Sequence, residues 1–593
     1  MKIVLMAACV AAPFCASAET AKQLDPVIVT ATGQPTAIGN TLAPILVLTR
    51  EQIEQSQALD LAELLRFYAG IEIGRSGGSG AQTAIFIRGG ESNHTLVLID
   101  GVRVNPATSG GAAVQNIAPD MIERIEIVKG PRATLYGSDA IGGVINVITR
   151  GSASTGADLS LRGGSDSSYD GSLRGSWANE QGSLSLQAQH LQTDGYPALA
   201  GETQDTGYDR TSFNVDGDLK IGKASIGARV WDAVGTTDYY GYAPDFSRTV
   251  LSQDYRNLVA ALDVTLPFSS ALSGTLRVSR GEDDSKQQQS DDFVETVRTG
   301  VDGNLVWRGE HQRLTTAISA IREEVEALSF GTETDETRDI LTLSLQDEIG
   351  IGRHHAVLGA TWADYDGFGD RVDGSLEYGF DVTGNGRLVA AASTGFRAPD
   401  ATDRFGFGGN PDLKPESAQN LELGWQQRIG DAQRIDLRVF RSEVDDLINV
   451  LCDADFNCTA VNVDKFRNEG VELTWNIAIV DWTATLTGLL QDPKDLSTDT
   501  QLLRRAKRTA ALRLNRQFGR WNAGLDLLGS GSRPDFDREL GGYALLNLGG
   551  GVKIGTQTRV NLRVENVLDK DYQTSSGYNQ AGASFYLGIA QGF

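Results

Sequence analysis

The 593-residue chain is short of the residues that build metal centres and disulfide scaffolds: it has 5 His, 4 Cys and 3 Met. That supply argues against a large His/Cys metal cluster. Positive charge is also scarce, with 53 Lys+Arg against 77 Asp+Glu and a net charge of -24. Phosphate binding needs a basic stripe, so no nucleic-acid partner is expected. Beyond the first 18 residues no run of about 20 apolar residues occurs, so the chain has no helical membrane span. Proline is sparse, at 15 residues, whereas glycine is abundant at 68, well above the usual ~7%. At about 150 residues per domain, the length allows three or four domains or one very large one.

The N-terminus reads as an address. Lys2, the apolar stretch Ile3 to Phe14 and Ala16-Ser17-Ala18 form a secretory signal peptide over residues 1–18, cut before Glu19. Cleavage removes Cys9 and Cys15. Cys452 and Cys458 remain, close together in LCDADFNCTAVN. In an exported chain this pair reads as a loop-closing disulfide, and no nearby His suggests a metal site.

After about residue 150 a period of two dominates. Ile435, Leu437 and Val439 alternate with Asp436, Arg438 and Phe440; Val471, Leu473 and Trp475 alternate with Glu472 and Thr474; Leu341, Leu343 and Leu345 behave alike. Such strands have one apolar and one polar face. A soluble β-sandwich array and a membrane barrel both fit. The last strand favours the barrel: Phe585, Leu587, Ile589 and the terminal Phe593 share one face, interrupted by Gln591, while Ser584, Gly588, Ala590 and Gly592 share the other. With an export signal and no helical span, the length accommodates roughly 18 to 22 strands.

The preceding segment differs. Thr49 and Gln52 suit a capping box, Asp60 suits the cap of a second short helix, and Gly70 suits its stop. Strands are expected at Ile85 to Gly89, Thr95 to Gly101, Arg124 to Gly130 and Gly143 to Arg150. Leu96 to Ile99 is continuously apolar, as in a strand buried on both faces. A small α+β domain of this kind would serve as a plug in so wide a barrel. Ahead of it, Asp25 to Thr32 (DPVIVTAT) suits either a first plug strand or strand addition to a partner's sheet edge.

These residues resemble a known family. DPVIVTAT looks like a TonB box; RGGESNHTLVLIDGVRVN and IERIEIVKGPRATLYGSDAIGGVINVITR resemble the plug signature of TonB-dependent outer-membrane receptors. STGFRAPDATDRFGFGGNPDLKPESAQNLELGW and NVLDKDYQTSSGYNQAGASFYLGIAQGF resemble the family's mid-barrel and C-terminal segments. The resemblance implies a transmembrane barrel of 22 antiparallel strands, occluded by an N-terminal α+β plug, in the outer membrane of a Gram-negative bacterium. It divides the chain into a signal peptide (1–18), a periplasmic arm (19–32), a plug (33–150) and a barrel (151–593). It makes Asp25, Pro26, Val27, Ile28, Val29, Thr30, Ala31 and Thr32 the TonB-binding segment. Lipid and lipopolysaccharide are the expected surroundings, and a monomer the expected state. GGSGAQTAIFIRGG and TDTQLLRRAKRT are similar to segments of the cobalamin branch, with a ferric-siderophore receptor as the alternative. Phe396-Arg397-Ala398-Pro399 and Asn410-Pro411-Asp412-Leu413 resemble haem-receptor boxes, but Asp400 to Gly409 lacks the His that haem ligation needs.

The same resemblance places substrate at outward plug tips, Arg75 to Ala81 and Asn105 to Val114, with Arg75, Ser76, Ser79, Asn105, Thr108 and Ser109 as candidate contacts. Cobalamin transporters order extracellular loops with calcium, which takes six to eight oxygens. Gln204, Asp205, Asp209, Asp238 and Asp245 are the candidate ligands here, although Gln204-Asp205-Thr206 stands where the family has a tight D-x-D pair. An enzyme is not expected. Gly74-Arg75-Ser76-Gly77-Gly78 matches G-x-S-x-G in letters, yet a strand and not a helix follows it. There is neither a P-loop nor an H-E-x-x-H motif, so no catalytic residue and no catalytic cofactor is expected, and His354-His355 reads as a strand-end pair. A passive porin would have neither plug nor TonB box.

Overall fold

A computed structural model describes residues 27–28 and 36–593, apart from 244, 330, 454–457 and 464; for residues 27, 28 and 133 it describes the backbone alone. The expected signal segment, and Asp25, Pro26 and Val29 to Thr32 of the expected arm, lie outside the described residues.

Alternation of apolar and polar residues produces long strands that pair with their sequence neighbours. Twenty-two of them, from Gly156–Gly164 to Ser584–Gly592, close into one antiparallel barrel. The two-residue strand Thr500–Gln501 is added beside Trp482–Asp495. The first and last strands close the ring, with Leu161 opposite Ile589 and Gly163 opposite Leu587. Closure pairs every strand edge, a requirement where no water reaches the backbone. Leu341, Leu343 and Leu345 point outward and are 38–46% exposed, as are Phe585, Leu587 and Ile589 at 47–59%. On the inner face Arg438, Asn468 and Glu472 are buried. An apolar exterior around a polar interior is the arrangement of a barrel surrounded by hydrocarbon. Phe440 breaks the pattern by facing inward, where the Arg88 guanidinium stacks 4.6 Å from its ring.

The two rims differ. The rim carrying Gly156 and Phe593 has tight turns, such as 222–223 and 352–353; the other carries long connections at 197–205, 398–415, 446–465 and 566–583. Short turns belong to the periplasmic side and long loops to the outer side of such barrels. A hairpin of Ile448–Cys452 and Cys458–Asn462 tops one outer loop, and a disulfide joins Cys452 to Cys458 as the sequence suggested.

The N-terminal domain fills the lumen. The capping box at Thr49 and the Asp60 cap both form, starting helices Arg50–Ser56 and Leu61–Leu65. The second helix ends before Gly70, which turns the chain into strand Ile71–Arg75 instead. Five strands form a mixed sheet in the order Ile45–Thr49, Ile122–Lys129, Gly143–Thr149, Thr95–Ile99, Val102–Arg103. The strand expected at Ile85 to Gly89 is Thr83–Ile87, and it leaves that sheet to form a separate hairpin with Ile71–Arg75. The plug core around Leu48, Leu61, Leu65, Ile125 and Ile145 continues into the wall at Trp231 and Val259, so plug and barrel share one apolar cluster.

Candidate binding site and plug interface

Buried charges hold the plug to the wall. After strand Thr83–Ile87, Arg88 and Gly89 both take positive φ, and the turn aims the Arg88 guanidinium outward. It meets Glu422 at 2.6 Å and Glu472 at 2.9 Å. Lys129 pairs with Glu472 and also donates to the Ala69 carbonyl, while Arg438 pairs with Glu422 at 2.8 Å and donates to the Leu42 carbonyl. Gly70 has φ +86°, and a Cβ there would lie 2.8 Å from both the Glu472 carboxylate and the Lys129 Nζ. Removing one member of such a cluster leaves an uncompensated buried charge, at a cost of about 3–5 kcal/mol.

A second cluster runs from plug to outer loop. Fully buried His94 accepts at Nδ1 from the Glu91 amide, 3.1 Å, so Nε2 carries the proton it shares with Glu416 at 2.6 Å. Glu416 also meets Arg397 at 3.0 Å, and Arg397 meets Asp403 at 2.9 Å and Asp400 at 3.3 Å. Burial, with the Asp403 carboxylate alongside, pushes Asp400 above the usual carboxylate range. Asp400 caps the short helix Ala401–Phe405, whose first amides donate to the plug tip: Ala401 to the Ala107 carbonyl at 2.9 Å and Thr402 to that of Thr108 at 3.0 Å.

The candidate plug contacts divide. Ser109 is exposed, and Ser76 and Ser79 are half-buried at the outward tips. Arg75, expected to meet substrate, is instead an internal strut, bonded to Asp60 at 2.8 Å and Glu63 at 3.2 Å. Asn105 is also internal: its Oδ1 accepts from the Val97 amide, and its Nδ2 donates to the carbonyls of Thr95 and Gly110. Thr108 is buried against the loop helix just described. Polar side chains at a tight bend satisfy the backbone there before they serve a ligand. The glycines of Arg75 to Ala81 admit barrel tyrosines: Gly80 has φ +74°, and a Cβ on it would lie 2.0 Å from the Tyr208 ring.

Gln204, Asp205, Asp209, Asp238 and Asp245 are not gathered into one oxygen set. The Gln204 carbonyl accepts from the Tyr240 hydroxyl, Asp238 from the Gly207 amide and the Ser252 hydroxyl, and Asp245 from Ser247 in its own turn. Among the described residues, no group of three or more His, Cys, Asp or Glu is arranged to hold an ion.

An outer cavity of about 970 Å³ opens between loops 197–205, 531–542 and 566–583. Tyr196, Tyr543 and Tyr572 line it together with Asp166, Arg538 and Lys570. The rings of Tyr543 and Tyr572 lie 4.6 Å apart, and Arg66 of the plug donates to the Tyr572 hydroxyl at 2.6 Å. Aromatic faces with a few charges suit a large ligand with both apolar and polar surface. These tyrosines were missed in the sequence because they lie far apart along the chain, Tyr196 at the end of one barrel strand, Tyr543 at the start of another and Tyr572 on a loop. The inward glutamates had a signal, since Glu422 and Glu472 stand on the polar face of strands whose other face is apolar.

A wide membrane barrel closed by a folded plug defines a gated outer-membrane receptor. Residues 37–144 match the family described as "TonB-dependent Receptor Plug Domain" and residues 146–567 match "TonB dependent receptor-like, beta-barrel". The chain belongs to the TonB-dependent receptor family, outer-membrane proteins of Gram-negative bacteria. It is 30% identical to the vitamin B12 transporter BtuB of Photobacterium profundum, over 95% of this chain and 94% of that one. It is 28% identical to the BtuB of Vibrio vulnificus, over 95% and 93% of the two chains. The siderophore receptor PirA from Acinetobacter baumannii shares the fold, with a TM-score of 0.78 at 17% identity, covering 93% of this chain and 98% of that one.

Proposed function

We propose that this receptor imports cobalamin or a related corrinoid across the outer membrane, energised through TonB. The carrying observation is that both B12 transporters match nearly the whole chain, plug and barrel together. The likeness to PirA is one of fold and does not bear on substrate. The tyrosine-lined outer cavity supports the reading, because a corrinoid combines a flat macrocycle with polar amide arms. TonB would engage Asp25 to Thr32. Within that segment, Val27–Ile28 pairs with Thr36–Ala37, so a short strand already exists for a partner to extend or displace.

The test is equilibrium binding of cyanocobalamin to the detergent-solubilised protein, with calcium and then with EDTA. Saturable binding indifferent to EDTA is expected, since the acidic loop residues are not gathered. An absence of binding in either buffer overturns the corrinoid reading and points to a ferric siderophore or another chelate.

A further inference from the structure

The plug is not held evenly around its circumference. Its ion pairs to the wall gather on one arc, Arg132–Glu377, Arg88 with Glu422 and Glu472, Lys129–Glu472 and Glu91–Arg505, together with the hydrogen bond from His94 to Glu416. All of these wall residues lie between 377 and 505. The first plug residues are tied to the same half, through Arg434 to the Ile38 carbonyl and Arg438 to that of Leu42. On the arc where the barrel closes, the plug–wall ion pairs are Glu54–Arg559, with side chains 33% and 36% exposed, and Arg150–Asp158, with side chains 18% and 49% exposed.

Space is distributed in the opposite sense. The outer cavity of about 970 Å³ shares Asp166, Tyr196, Tyr572 and Gln580 with a smaller one of about 60 Å³ beneath it, lined by Glu63, Arg66 and Arg75 of the plug. On the periplasmic side of the same arc lies a cleft of about 510 Å³, lined by Glu54, Gln57 and Asp120 of the plug and by Arg162, Ser172 and Arg559 of the wall. Between the small cavity and the cleft stands a partition of plug and wall side chains. Leu59 packs there on Leu191, Tyr208 and Tyr586, and Arg162 donates to the Gln57 carbonyl at 2.7 Å. Elsewhere, a cavity between plug and wall at Trp231, Asn257 and Arg298 holds only about 20 Å³.

We propose that substrate passes the plug along the closing seam of the barrel, between the plug segment Arg50 to Leu65 and the wall strands that include Gly156–Gly164, Tyr169–Ala178, Thr558–Glu565 and Ser584–Gly592. Opening this side breaks apolar contacts, hydrogen bonds from Arg162 and Arg210 to the Gln57 and Leu59 carbonyls, and two partly exposed ion pairs, but parts no pair of buried charges. Opening the far side strands buried charges in a medium that cannot solvate them, which is the costlier separation. A pull on the N-terminal arm therefore tilts the plug about its charged arc, and the seam gives way first. This rests on the transport function proposed above.

The test tethers the plug on each side in turn, in the full-length receptor in cells. In Glu54→Cys/Arg559→Cys, a cleavable bis-methanethiosulfonate links plug to seam. In Thr134→Cys/Ser375→Cys, whose parent hydroxyls lie 3.0 Å apart, a disulfide links plug to the far arc. Labelled cyanocobalamin uptake is expected to fall to the level of de-energised cells with the seam tether, to recover when a reductant cleaves it, and to remain near wild type with the far disulfide. Uptake that survives the seam tether, or that the far disulfide abolishes equally, overturns the route. If the wild type imports no cyanocobalamin, the corrinoid reading has failed and a second readout scores the route alone. Thr193→Cys, at the small seam cavity, should react with an external maleimide in respiring cells and not after the proton gradient is collapsed. Equal labelling in both states contradicts the proposal.

Discussion

Glu72 shows how a single plug residue senses its seat. It sits on strand Ile71–Arg75, accepting from the Ala506 amide at 2.7 Å and from the Gln491 side chain at 3.2 Å. Both donors favour the carboxylate, yet burial outweighs them and pushes the carboxyl up to about 7. A carboxyl raised on folding favours the folded state in its protonated form. Its contribution is full below 4.5, the ordinary value, and is lost as pH rises through about 7. Hydrogen exchange in the hairpin Ile71–Ile87 should accordingly quicken across that window, and Glu72→Gln should flatten the dependence. An unchanged profile in the variant would assign the effect elsewhere. Gly80→Ala is expected to destabilise the outer plug tip by about 1–3 kcal/mol through overpacking against Tyr208, read as faster proteolysis of the tip. Arg88→Ala should cost about 3–5 kcal/mol of plug seating, seen as a lower urea midpoint for plug release, because Glu422 and Glu472 then lose a buried partner.

At the scale of elements, the arm is the most exposed to single changes. On the proposed strand addition of TonB to the arm, main-chain donors carry the pairing, so Val29→Pro should abolish uptake while leaving cyanocobalamin binding intact. Loss of both activities would show that the substitution acts on the fold and not on coupling. Elements were legible in the sequence where one local rule dominates. The caps at Thr49 and Asp60, and the outward leucines 341, 343 and 345, follow from spacing alone. Strand pairing inside the plug was less legible: Thr83–Ile87 has the same apolar character as Thr95–Ile99, and nothing local tells which sheet each joins. The internal partners of Arg75 and Asn105 were hidden for a related reason. An arginine or asparagine in a glycine-rich bend looks available until its partners, Asp60 and the Val97 amide, are brought close by the fold.

The whole molecule is a wide barrel whose lumen a folded plug fills. The charged arc anchors the plug, the closing seam holds an outer cavity and a periplasmic cleft, and the outer mouth gathers tyrosines far apart in sequence. That long-range assembly is why the sequence revealed the architecture more readily than the binding surface. The family, the barrel and the plug are properties of local pattern and motif, whereas the mouth exists only after the twenty-two strands have closed. The most direct test of the account is accumulation of labelled cyanocobalamin in cells that depend on this receptor, before and after the proton gradient is collapsed. Accumulation that requires both the receptor and the gradient, with surface binding preserved after collapse, is the expected result. Accumulation that continues unchanged without the gradient would contradict an energised, plug-gated transporter.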